Sequence, residues 1–140
     1  MRNPHRPLKQ LIAAALVLIG TGLTFAADAP KEATVKPLLT QALAGLPDKE
    51  AIMLTVEYPP GGSSAAHRHN ADVFVYVLEG SLIMQVDGQQ PVTLHAGQTF
   101  HENPTDVHRQ SANASKTEPA KFLVFIVKDK GKAVTQPVSP

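Results

Sequence analysis

The sequence predicts an all-β domain, a sandwich or small barrel, and three observations lead there. Short apolar runs rich in β-branched and aromatic residues recur along the chain, as strands do. Twelve prolines and nine glycines fall largely between those runs, where turns belong. No amphipathic helical stretch is long enough to serve as the crossover of a parallel α/β sheet. A length of 140 residues fits one domain, and no internal repeat divides it.

The elements follow in order. Arg2, Arg6 and Lys9 make a basic start, Leu11 to Ile19 is an apolar run too short for a comfortable membrane span, and Thr24-Phe25-Ala26 offers small residues where a signal peptidase reads. Residues 1–26 are therefore expected to be a secretory signal peptide, cut after Ala26, with an uncleaved membrane anchor as the alternative. The chain has no cysteine for lipid attachment and no Arg-Arg pair of the twin-arginine kind. The expectation is a periplasmic or secreted protein that holds no membrane contact after cleavage. Residues 27–50 read as an N-terminal arm, polar and proline-bounded, in which Leu38 to Leu43 forms a helical turn or two ended by Gly45 and Pro47.

The barrel is expected over 51–128. Its first strand is Ala51–Tyr58 (AIMLTVEY), stopped by Pro59-Pro60-Gly61-Gly62. Val73–Leu78 and Ser81–Val86 follow on either side of Glu79-Gly80, and Asp87-Gly88 is a hairpin turn signal. Pro91–Leu94, Thr99–Glu102 and Val107–Ala112 are shorter candidates, and Lys121–Val127 (KFLVFIV) reads as a core strand. The tail, 129–140, is expected to fray.

Composition narrows the chemistry. Thirteen Lys and Arg stand against twelve Asp and Glu, so nothing points to nucleic acid as a partner. The absence of cysteine removes disulfides, thiolate ligands and a cysteine nucleophile. Ser63, Ser64 and Ser111 lack a nucleophile-elbow context, and Gly61-Gly62 leads into a strand rather than a phosphate-binding helix terminus. What remains is histidine. His67 and His69 are spaced i, i+2, which puts both side chains on one face of an extended segment. Two imidazoles so placed can share a cation, with iron, manganese, nickel, zinc or copper all suited; hydrogen-bonded or surface histidines are the alternative.

From Gly61 to Asn113 the chain resembles the cupin superfamily. Its first motif, G-x5-H-x-H-x3,4-E-x6-G, is matched by Gly61, His67, His69 and Gly80, and its second, G-x5-P-x-G-x2-H-x3-N, by Gly97 and His108. The resemblance implies a cupin β-barrel, the double-stranded jelly roll. The departures are specific. The glutamate position holds Val73, with Asp72 one residue early and facing the opposite side unless a bulge turns it in. Asn103 and Thr105 stand at the proline and glycine positions, and Ala112 stands where asparagine is expected, one residue before Asn113.

Carried over residue by residue, the resemblance implies metal ligands at His67, His69 and His108, a three-histidine site of the kind some cupin dioxygenases of thiols and diketones use, with iron the first choice of metal. Three neutral imidazoles leave the charge of a dication uncompensated, which draws an anionic chelating small molecule to the open positions. Glu102, six residues before His108, is the carboxylate placed to reach the metal or a metal-bound water. Gln110, i+2 from His108, shares its inward face and can donate to a substrate. Asp106 is expected to bond its own turn; His95, His101 and Arg109 face outward; Met53, Met84, Phe74 and Tyr76 pack the core or an interface. The functional readings are a non-haem iron oxygenase, a non-catalytic metal- or ligand-binding module, and a metal-free structural barrel. The resemblance also implies a homodimer, for which AIMLTVEY is a candidate edge strand.

Overall fold

The computed structural model describes residues 31–138; the expected signal peptide lies outside them. Eleven strands form two facing sheets in which every pairing is antiparallel. They are β1 (Thr34–Leu43), β2 (Leu46–Tyr58), β3 (Ser63–Ser64), β4 (His67–Arg68), β5 (Asp72–Glu79) and β6 (Ser81–Val86), then β7 (Val92–His95), β8 (Thr99–Glu102), β9 (His108–Asn113), β10 (Ala120–Asp129) and β11 (Gln136–Pro137). One sheet runs β1-β2-β10-β5-β8. The other runs β11-β4-β9-β6-β7, with β3 also on β9. No helix occurs among the described residues.

The alternation of apolar and polar residues explains the layers. In AIMLTVEY the large buried members are Ile52, Leu54, Val56 and Tyr58, with the small Ala51 also buried; in β10 the buried apolar residues are Ala120, Phe122, Val124 and Ile126; in β5, Val73, Val75 and Val77. Period-two burial of this kind puts one face of each strand on the interior. Leu82 and Met84 of β6 and Leu94 of β7 meet them from the other sheet. Gly80 makes the tight β5–β6 turn possible: its φ is +72°, and a Cβ there would stand 2.5 Å from the Pro119 carbonyl oxygen. No other residue fits both constraints.

Three expectations are corrected. Leu38 to Leu43 is strand, not helical turn: β1 pairs with β2 from Thr34↔Glu57 to Leu43↔Leu46 around a turn at Ala44-Gly45. A helix of one or two turns is not stable alone, whereas a long antiparallel partner strand binds alternate residues through both N–H and C=O. Pro37 is accommodated because β1 is an edge strand. In consequence AIMLTVEY is not an edge, for β2 lies between β1 and β10. The segment after Asp129 does not simply fray either: Gln136 and Pro137 pair with Arg68 and His67.

Candidate metal centre

His67 sits on β4 directly opposite His108 on β9, so cross-strand pairing alone brings their rings to 5.1 Å between centroids. His69 reaches the same point from the next turn, its ring edge-on to His67 at 4.8 Å. Asn70 then takes a left-handed conformation, φ +49°, which bends the chain away toward β5. One ligating nitrogen from each of the three histidines lies within 4.8 Å of the other two.

The hydrogen bonds fix the tautomers. His67 Nδ1 lies 2.8 Å from the carbonyl oxygen of Ala65, and His69 Nδ1 lies 2.7 Å from that of Val134. A carbonyl oxygen only accepts, so both Nδ1 atoms carry the proton and donate. Both Nε2 atoms therefore present lone pairs, and they stand 3.1 Å apart. Two lone pairs at that distance repel unless a cation lies between them. At a metal–nitrogen distance of about 2.1 Å, ligands at right angles are separated by about 3.0 Å, which matches. Burial is the main influence on His67 and holds its pKa below the usual imidazole value, with repulsion from His69 and His108 acting in the same direction. The neutral, metal-binding form is the favoured one.

His108 completes the set differently. It is 3% exposed, and neither ring nitrogen has a hydrogen-bond partner. Glu102, 2% exposed, places Oε1 3.1 Å from His108 Nδ1, outside hydrogen-bonding alignment; its Oε2 has no partner and lies 4.0 Å from His69 Nε2. Buried polar atoms are rarely left without partners. A buried His108 ring and a Glu102 oxygen without partners, beside two opposed lone pairs, fit a cation held by these side chains.

Glu102 owes its position to register. On β8 it pairs with Val73 of β5, the residue at the expected glutamate position. The carboxylate is thus supplied from the neighbouring strand. Asp72 faces outward, half-exposed, 3.3 Å from His101.

Gln110 departs from expectation. Between β6 and β9, Gln110 pairs with Gln85 but His108 pairs with Val86, so Arg109 is an extra residue, a β-bulge. The bulge shifts the strand's phase by one. Ser111 and Asn113 take the buried face, Gln110 turns away, and it does not line the cavity. The same shift brings Asn113 inward in place of Ala112. There its amide donates to the Pro59 and Glu118 carbonyls and accepts from Ser115 N, tying three loops together.

The remaining residues fall as their surroundings dictate. His101 is exposed and stacks on Phe74; His95 bonds Ser81; Arg109 pairs with Asp87 at 3.0 Å; Asp106 accepts from Asn103 N. Above the histidines a cavity of about 650 Å³ opens between the sheets. Tyr58, Ser64 and Ser111 form a hydroxyl cluster on its wall, with contacts of 2.6 and 2.7 Å. Sequence reasoning passed over Tyr58, although its phase with Ile52, Leu54 and Val56 already marked it as inward. The anchoring carbonyls of Ala65 and Val134 carry no side-chain signal at all.

Comparison with known proteins agrees with this geometry. No curated protein matches the chain by sequence. Among solved structures, an uncharacterized conserved protein with a double-stranded beta-helix domain from Klebsiella pneumoniae superposes with a TM-score of 0.60 at 18% identity, covering 80% of this chain and 91% of that one. A cupin domain from Bordetella pertussis gives 0.57 at 20% identity, covering 73% and 99%. The DMSP lyase DddQ from Ruegeria pomeroyi gives 0.62 at 21% identity, covering 86% of this chain but 59% of that chain. At these identities the likeness is one of fold. The cupin domain family model matches residues 54–126, just over half of the chain, and takes in the three histidines and Glu102. With two facing antiparallel sheets and the histidines gathered between them, the chain belongs to the cupin superfamily.

Proposed function

We propose that this protein binds one divalent transition metal, iron before manganese, nickel, zinc or copper, through His67, His69 and His108, with Glu102 as the fourth protein ligand. The observation that carries this reading is the pair of Nε2 lone pairs held 3.1 Å apart by two backbone carbonyls. When bound, iron supplies Lewis acidity and the redox chemistry of oxygenases. The chain's own residues do the rest. Ala65 and Val134 hold two rings in the ligating tautomer, and Glu102 offsets one unit of positive charge. The cavity walls exclude water from the ligand's reacting end. The function that follows is oxygenation of a small, anionic, chelating molecule.

Oxygen uptake by the iron-loaded protein, presented anaerobically with diketones, thiols and catechols and then mixed with oxygen, tests it. Turnover that disappears in His108→Ala supports the reading. A protein that holds iron tightly and turns over none of the panel is instead the non-catalytic binding module. That second reading has its own support: with Gln110 turned away, Glu102 is the only acidic side chain among the described residues lining the cavity.

Export after cleavage at Ala26 is part of the proposal and rests on the first residues of the sequence; N-terminal sequencing of the periplasmic protein checks it. A homodimer is also proposed. Phe74, Tyr76 and Leu78, exposed in a row on the outer side of β5, support it, and sedimentation equilibrium decides it.

A further inference from the structure

Taking the metal reading as its base, we infer that the ligand of this site is an amphiphilic monoanion, with a chelating oxygen head at the histidines and an uncharged apolar body filling the cavity. Size is the first argument. About 650 Å³ is far more than a two-carbon acid needs and falls in the range of pockets that enclose drug-sized molecules. The walls are the second. Above the floor of histidines the lining is Ile52, Leu54, Val56, Val124 and Ile126 on one side, with Met84 facing them. The body that gains most from such walls is hydrocarbon.

Charge is the third argument. A dication with three neutral imidazoles and Glu102 leaves one net positive charge, matched by one anionic head. No lysine or arginine lines the cavity among the described residues. A second carboxylate partway along the body, held between the apolar walls, would be buried without a partner, which is heavily disfavoured. The polar groups on the wall do not change this. Tyr58 bonds both Ser64 and Ser111, and Ser111 Oγ also lies 3.5 Å from Met84 Sδ. These hydroxyls satisfy one another and offer a ligand no charge.

The opening is the fourth. Val35 on β1 lines the cavity and is nevertheless 54% exposed, with Pro137 of β11 lining it as well. The cavity therefore opens past β1, where a long body enters tail last.

A series of alkyl hydroxamates, acetyl, butyryl, hexanoyl and octanoyl, titrated into the zinc-loaded protein by calorimetry, tests the inference with one constant head. The expected result is a gain in affinity of about fourfold per methylene. Succinic acid monohydroxamate, with the butyryl chain length and a carboxylate held between the walls, should bind at least about tenfold more weakly than butyrohydroxamate. Val35→Arg, at the exposed rim, should reduce the gain for octanoyl more than for acetyl. A flat series, or equal binding of the two four-carbon probes, overturns the inference. Butanoate and octanoate titrated into metal-free protein separate the two claims. A gain with length in a protein that takes up no metal keeps the apolar body and ends the metal reading; tight metal uptake with a flat hydroxamate series does the opposite.

Discussion

The two sheets divide the work unequally. The sheet containing β4 and β9 carries His67 and His108 on its strands and His69 just past β4, and it does so at its irregular places: a two-residue strand, a left-handed Asn70 and a bulge at Arg109. The sheet containing β2, β10 and β5 is built of long strands whose register shifts fall in the β1 edge and at the Lys121 end of β10, and it supplies apolar wall with one carboxylate from β8. Strict alternation builds a surface of uniform character. Convergence of three side chains on a point requires breaking the alternation, since a regular strand spaces its inward residues about 7 Å apart. Chemistry therefore sits where the strands around the histidines are short, bent or bulged, and shape where long strands keep their alternation.

The largest expected effect tests the irregular strands. His67→Ala or His108→Ala should lower metal affinity by at least about 100-fold by equilibrium dialysis, while the metal-free protein melts no lower than the wild type. Removing His67 also removes an opposed lone pair, so a clear fall in the metal-free melting temperature would contradict the account.

The next effect is on the carboxylate. Glu102→Gln should weaken metal binding by about 10- to 100-fold. Because Glu102 and Val73 are register partners, the double variant Val73→Glu, Glu102→Val returns the carboxylate to the family position. It should recover metal affinity to within about tenfold of the wild type. No recovery would mean that strand of origin matters as well as location.

A smaller effect belongs to the C-terminal segment. Lys128 is 3% exposed and donates to Glu50 Oε1 and to the Asp129 and Lys132 carbonyls. It thereby shapes the turn that leads to Val134, the acceptor for His69. Lys128→Met should cost about 1–3 kcal/mol in denaturant unfolding through the carbonyls left unpartnered, with a severalfold loss of metal affinity.

The smallest is alkaline. Burial, the dominant cause, raises the pKa of Tyr58 above its ordinary value near 10. The phenol stays protonated in the fold at a pH where the unfolded chain ionises. Its contribution to stability is fully present below about pH 10 and is lost as pH rises through the folded-state value. Tyr58→Phe should flatten that decline in melting temperature between about pH 9 and 11, and an unchanged slope would refute the assignment.

How much of this was legible in the sequence follows the same division. The regular strands of both sheets read well: those at Ser81–Val86 and Thr99–Glu102 have the expected bounds, and AIMLTVEY and KFLVFIV lie within β2 and β10. Hydrophobic alternation is a local property, and those strands obey it. His67, His69 and His108 were legible because motif spacing encodes the irregularities that bring them together. Gln110 was misplaced because phase counting assumes a regular strand, and nothing in HRQSAN announces an extra residue at Arg109. Glu102 was singled out from its place six residues before His108, but that it pairs with Val73, the position of the missing glutamate, could be seen only in the β5–β8 register. β1 escaped because an edge strand exposed on nearly every residue shows no alternation to read.

The central claim is that three imidazoles, two of them aligned by backbone carbonyls, share one cation. Calorimetric titration of the chelator-treated protein with Co²⁺, followed by X-ray absorption of the complex, tests it most directly. The account predicts one ion per chain with imidazole nitrogens at about 2.1 Å, and loss of the binding in the His67, His69, His108 triple alanine variant. Absence of binding, or equal binding by the triple variant, would contradict it.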